Sequence, residues 1–195
     1  AEESDGRLLR PRSGESLRTA LYPHPESQAG GDGDTVIRIR PWKPEDREWL
    51  EVMLPAFLAE ISAHGRMLPN TPGNVAALID IGTKAAATGW PALALEIEDA
   101  MGHYYPEAII LWVEPDHGPF DPPEGGACHA LGSWTQPATR SKGYREMLQI
   151  VALDMLREKG ICTVFGSVGF ENKKGVEQML KHGAKVTAFF MAREV

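Results

Sequence analysis

Hydrophobic and polar positions along this chain follow two rhythms, and both start at Thr35. In Thr35–Arg40 (TVIRIR) apolar and charged residues alternate, a period of two that predicts a strand. Pro41 to Pro44 turns the chain. Pro44 suits a first helical turn, and Glu45, Asp46 and Glu48 follow at the positive end of the helix dipole. Trp49, Leu50, Met53, Leu54, Phe57, Leu58 and Ile61 then recur at three- and four-residue spacing, which predicts a helix to about Ala63. Pro55 lies inside that run and predicts a kink or a break into two helices near Met53–Pro55. After a loop over Gly65–Pro72, Asn74–Ala87 reads as a second helix.

Two apolar runs, Ala92–Ile97 and Ala108–Glu114, read as strands joined through Gly102–Pro106. Residues 115–126 are rich in proline and glycine and form a loop before a further strand, Cys128–Gln136. Lys142–Lys159 predicts a long helix, with Gly160 at its C′ position. Ile161–Val168 reads as a strand, Asn172–His182 as a helix closed by Gly183, and Lys185–Glu194 as a last strand. The expected order is β-α-α-β-β-β-α-β-α-β, an α/β (α+β) domain over residues 35–195 with no internal repeat. Residues 1–34 are different. They carry Pro11, Pro23, Pro25 and the cluster Gly30 to Gly33 with few large apolar side chains, and they read as an extended N-terminal tail. Such a segment orders only where its own domain or a partner chain holds it.

Composition adds bounds to this pattern. The 195 residues, 43% of them hydrophobic, suffice for one full core. No apolar run approaches the roughly 20 residues of a membrane span. The start, AEESDGRLLRPR, lacks the features of a secretory signal, so a cytoplasmic protein is expected. A net charge of −7 without a basic block argues against nucleic acid as a partner. Cys128 and Cys162 are isolated in apolar surroundings and read as two buried thiols. The histidines lack metal-ligand spacing, and no metal site is expected. The five tryptophans sit mostly in apolar runs and read as core, and Ser133 and Ser141 lack a nucleophile-elbow context.

The chemistry concentrates in Leu131–Lys159. A strand runs into Pro137, and the loop Arg140-Ser141-Lys142-Gly143 then opens an amphipathic helix with Met147, Leu148, Val151, Met155 and Leu156 on one face. A glycine-containing turn before a helix leaves backbone N–H groups unpaired at the positive end of the dipole, which suits a phosphate. Arg140 and Lys142 add formal positive charge.

This stretch resembles the central motif of the GNAT N-acetyltransferases: a strand ending in a V-x-P-like run, then Arg/Gln-x-x-Gly-x-Gly/Ala, then a helix. Here the residues are Thr135-Gln136-Pro137, then Arg140-Ser141-Lys142-Gly143-Tyr144-Arg145. The following strand, Asn172, and the helix ending His182-Gly183-Ala184 continue the likeness in order over residues 35–195. The resemblance implies a mixed sheet splayed between strands 128–136 and 161–168, flanked by helices. It implies acetyl-CoA as co-substrate, with its pantetheine arm along the backbone of Trp134, Thr135 and Gln136. The pyrophosphate would rest on Arg140, Ser141, Lys142, Gly143, Tyr144 and Arg145, and Asn172 would face the arm.

The chain departs from the family pattern at three points. Arg145 stands where the family has glycine or alanine. Met179 stands where many members place a tyrosine that protonates the departing thiolate. Only one strand follows the last helix, where a hairpin is common, which would leave one wall of the acceptor pocket short unless another chain completes it. For a general base the candidates are Glu114, at the end of one strand, and His129, at the start of the next. Two functions follow. The first is transfer of an acetyl group from acetyl-CoA to a primary amine of a small molecule or protein. The second is an assembly component with weak or lost catalysis, for instance in a virus particle. It would dock on a protein partner or a second copy through residues 1–34 and the C-terminal strand.

Overall fold

A computed structural model describes residues 36–63, 68–115, 125–168 and 171–181. Strand β1 (Ile37–Pro41) leads through a single 3-10 turn (Pro44–Asp46) into helix α1 (Arg47–Ala63), followed by α2 (Pro72–Ala87). Strands β2 (Ala92–Glu98), β3 (Tyr104–Val113) and β4 (Ala127–Thr135) come next. After them are a 3-10 turn (Pro137–Thr139), α3 (Tyr144–Glu158), β5 (Thr163–Gly166) and α4 (Lys173–Lys181). The predicted order holds from the first strand through α4. The tail over residues 1–34, the Gly183 terminus and the strand predicted over Lys185–Glu194 lie outside the described residues.

The five strands lie in chain order, β1-β2-β3-β4-β5. The first four pair antiparallel, and β5 joins β4 in parallel, so the sheet is mixed. Ala92–Leu95 and Ala108–Trp112 are buried at every position. A strand buried at consecutive residues needs cover on both faces, because successive side chains point to opposite sides. Helices α1 and α2 pack on each other, and α2 and α3 both pack on β2 and β3. Leu50, Leu54, Leu58, Leu93, Leu95, Ile110, Leu148 and Leu156 are each no more than 1% exposed. Burial of a side chain of this size is worth about 1.5–3 kcal/mol. Trp42, Trp90, Trp112 and Trp134 join this core, as their apolar surroundings predict.

Pro55 does not break its helix. Arg47–Ala63 is one element with Pro55 inside. The carbonyl that loses its N–H partner belongs to Glu51, which is exposed, so water can take the vacant acceptor, while buried Leu54, Phe57 and Leu58 hold the far side. Strand β3 starts at Tyr104, earlier than predicted, and tolerates Pro106 because a bulge falls there: Leu95 pairs with Ala108 and Glu96 with Pro106. Cys128 is buried, but Cys162 is exposed, contrary to the sequence reading. The apolar run around it holds a four-residue strand, last in the order of the described strands, that is exposed throughout.

One polar knot ties the first strand to the core. Arg40 makes two 2.7 Å bonds to the Asp46 carboxylate and one to Glu96 Oε1, while Arg38 Nε reaches Glu96 Oε2 at 2.7 Å. Asp46 and Glu96 are each only 3% exposed. Burial alone would raise the Asp46 pKa. Hydrogen bonds from Arg40, the Lys43 amide and Trp49 Nε1 outweigh it, and the net shift is downward.

A carboxyl whose folded pKa lies below its unfolded value stabilises the fold above about pH 4 and loses that contribution as pH falls further. Asp46→Asn is therefore expected to lower stability at pH 7, and the gap to wild type to shrink at pH 3. Urea unfolding at both pH values tests this, and an equal gap at both contradicts it.

Candidate functional site

The site begins where β4 parts from β5. The parallel pairing covers only Ala127–Ala130 against Thr163–Gly166. At the next residue β4 carries a bulge against β3: Trp112 pairs with Ala130 and Leu111 with Gly132, so Leu131 is inserted between them. A bulge bends the strand and increases its twist. From there to Thr135, β4 stays paired with β3 and has no strand on its other side among those described. Gly132 makes room for α1 over this stretch, since a Cβ there would sit 2.6 Å from the Phe57 ring.

The register says which backbone groups face the gap. Gln136 donates its N–H to the Glu107 carbonyl on β3 at 2.9 Å. In an antiparallel ladder the edges alternate, so Trp134 and Gly132 also point toward β3, and Ser133 and Thr135 turn outward. Arg140 Nε confirms this by reaching the Thr135 carbonyl at 3.2 Å. The expectation of an open backbone over Trp134–Gln136 is thus revised to Ser133 and Thr135. Strand parity decides the point, and it cannot be read before the pairing is known. The Trp134 side chain is buried, with its Nε1 donating to Glu60 at 3.0 Å.

Beyond β4 the chain makes the loop predicted to bind phosphate. Ser141 has φ 74°, uncommon for a residue with a side chain, and Gly143 has φ 79°. Gly143 is the N-cap of α3, no side chain caps the helix, and a Cβ at Gly143 would meet nothing within 4 Å. The first N–H groups of α3 thus have no side-chain cap, and the space around the Gly143 Cα is open, as an anion cradle requires. Lys142 is exposed and Tyr144 buried. Burial raises the Tyr144 pKa, with the charge of Glu107 adding to it.

The two arginines differ. Arg140 is committed to a carboxylate, with one guanidinium nitrogen 2.5 Å from Glu60 Oε2. Arg145 is half-buried, and its Nε is buried without a hydrogen-bond partner. Among the described residues no carboxylate pairs with it, and burial lowers its pKa. A cation with no carboxylate partner among the described residues, beside an uncapped helix N-terminus, is where an anion gains most.

The remaining predicted residues lie elsewhere. Asn172 Oδ1 accepts the Gly175 N–H at 2.9 Å, so its side chain caps α4, and the local pattern of Asn before a helix was the signal for it. His129 stacks on Phe165 with ring centroids 4.9 Å apart, at the closed end of the gap. Glu114 is exposed just past β3, next in sequence to Val113, the partner of His129. Glu114 and His129 are thus near each other at the end of the sheet opposite the Arg140–Arg145 loop. Met179 is half-buried. Glu60, which bonds both Arg140 and Trp134, was not singled out in the sequence, where it reads as a polar position on a helix. No group of three or more His, Cys, Asp or Glu side chains among the described residues could hold a metal ion. Nor is any described helix long and apolar enough to cross a membrane.

A GCN5-related N-acetyltransferase from Ralstonia eutropha superposes with a TM-score of 0.55 at 20% identity, covering 82% of this chain and 99% of that one. The aminoglycoside N-acetyltransferase AAC(6′)-Iy in complex with CoA gives 0.55 at 11% identity over 87% and 98%. A ribosomal-protein-alanine N-acetyltransferase from Brucella melitensis gives 0.54 at 15% over 83% and 99%. No protein-family model and no curated protein matches the sequence. The chain has the GNAT acetyltransferase fold, in divergent form.

Removing the unpaired guanidinium is expected to stabilise the protein. Arg145→Met should raise the unfolding free energy by roughly 1 kcal/mol, the scale of one buried unsatisfied polar group. Thermal unfolding of the two forms checks this, and a lower Tm in the variant shows that Arg145 has a partner.

Proposed function

We propose that the protein transfers an acetyl group from acetyl-CoA to a primary amine of a small molecule or a protein. The observation that carries this reading is the parting of β4 and β5 after Ala130, with Ser133 and Thr135 turned into the gap and the uncapped start of α3 at its mouth. Structural neighbours with this fold are acetyltransferases, among them one solved with CoA.

Acetyl-CoA supplies an activated acyl carbon: the amine nitrogen bonds to it as the C–S bond breaks, and the amine's surplus proton is released. Each part of the chain has a task in this reading. The outward N–H and C=O groups of Ser133 and Thr135 hold the extended arm as a neighbouring strand would. The amides of Gly143, Tyr144 and Arg145, with the Arg145 guanidinium and Lys142, meet the pyrophosphate. Asn172 acts at one remove, by fixing the start of α4. His129, at the closed end of the gap, is the candidate to take the amine proton; exposed Glu114 sits outside it. Met179 offers no proton to the departing sulfur, so solvent or His129 supplies it. Holding amine and thioester in register can itself provide much of the rate. We propose the cytoplasm as the compartment, where such a co-substrate is available.

Titration calorimetry with CoA tests the cradle. Wild type should release or absorb heat on binding, and Gly143→Glu should abolish it, because the variant strains a left-handed position and places a carboxylate over the amides. No heat at millimolar CoA rules out the transferase reading. Equal affinity in the variant shows that the pyrophosphate binds elsewhere.

A further inference from the structure

The side chain of Arg140 lies across the backbone edge that the cofactor arm needs. Its Nε holds the Thr135 carbonyl at 3.2 Å, the outward-facing acceptor nearest the mouth of the gap. The other end of the same guanidinium is bound by Glu60, from the last turn of α1, at 2.5 Å. Glu60 is itself held, since its Oε2 also accepts from Trp134 Nε1 at 3.0 Å. One carboxylate oxygen thus ties α1 to β4 and to the phosphate loop, across 80 residues of sequence. The pair is not sealed in the interior: the side chains of Arg140 and Glu60 are 45% and 37% exposed. Exposed pairs of this kind are weak, and a competing anion can displace them.

From these contacts we infer that the Glu60–Arg140 bridge is a latch on the cofactor cleft. The inference rests on the acyl-CoA reading of the gap. With the cleft empty, Arg140 is drawn toward Glu60 and occupies the Thr135 carbonyl. The phosphate groups of an entering CoA compete with Glu60 for the guanidinium. When they win, Arg140 swings from α1 to the loop and the Thr135 carbonyl becomes available to the arm. The two ends of the bridge therefore act in opposite directions. Glu60 opposes cofactor binding by holding Arg140 back, and Arg140 favours it once released. A bridge that merely braced α1 against β4 would act in one direction only, with loss of either end loosening the cleft and weakening binding.

Glu60→Gln keeps the shape of the side chain and removes its charge; Arg140→Gln removes the cation. CoA affinity is measured for wild type and both variants by calorimetry, with far-UV circular dichroism to establish that each is folded. The latch predicts CoA bound roughly two- to fivefold more tightly by Glu60→Gln, the size of an exposed ion pair. It predicts about tenfold weaker binding by Arg140→Gln, the loss of one charge-assisted contact. Weakening in both variants, or no change in Glu60→Gln, overturns the latch while leaving the acyl-CoA reading intact. Absence of CoA binding by wild type removes the reading and the latch together. Should Glu60→Gln fail to fold, the Trp134 indole N–H resonance of wild type gives a second readout. The Trp134 indole N–H resonance should shift on CoA addition as Glu60 is released, and an unmoved resonance at saturating CoA overturns the latch.

Discussion

Between Ala130 and Thr135, β4 keeps its hydrogen bonds to β3 and loses its pairing with β5, and the bulge at Leu131 marks where the two edges part. Everything proposed for this chain depends on that divergence. A sheet edge opened inside a fold exposes backbone donors and acceptors that must find a partner or water. The bulge produces such an edge at low cost, because β4 remains anchored on one side by β3 and underneath by the Phe57 ring that closes over Gly132. Beyond the open edge the chain passes through the 3-10 turn at Pro137–Thr139 to the left-handed Gly143, so the uncapped helix start follows directly on the exposed strand.

The rest of the fold keeps that opening in place. Helices α1 and α2 brace each other, and α3 packs against β2, β3 and β4. The Arg38–Glu96–Arg40–Asp46 knot fixes β1 to β2 and orients the start of α1. Buried ion pairs are not strong net contributors, since desolvation offsets much of their attraction, but once formed they are costly to break and so resist alternative pairings. At the other end of α1, Glu60 makes the opposite kind of contact, an exposed pair with Arg140. The helix is thus held firmly at its start and loosely where it meets the cleft.

Much of this was legible in the sequence, and the reasons are local. The alternation in TVIRIR, the three- and four-residue spacing of α1 and the glycines at 143 and 160 are short-range signals, and the elements follow them. Arg140–Gly143 was readable for the same reason, since a turn, a glycine and a helix start are consecutive. What was missed depends on contacts distant in sequence. The partner of Arg140 is 80 residues away, and no pattern around Glu60 announces it. Whether Ser133 and Thr135 or Trp134 and Gln136 face the gap turns on the register with β3, which a single strand does not reveal. Cys162 reads as buried because its neighbours are apolar, yet it and the short strand it leads into, last of the described strands, are exposed. Asn172 shows the converse: its capping role was written locally, and the family resemblance drew attention to a different one.

Amide hydrogen exchange along β4, with and without CoA, tests the central claim most directly. Gly132 and Trp134 point to β3 in either state, whereas Ser133 and Thr135 gain a partner only if the arm lies in the gap. Saturating CoA is expected to slow exchange at Ser133 and Thr135 by about tenfold or more and to leave Gly132 and Trp134 unchanged. Unaltered exchange at all four amides, with CoA bound, contradicts it.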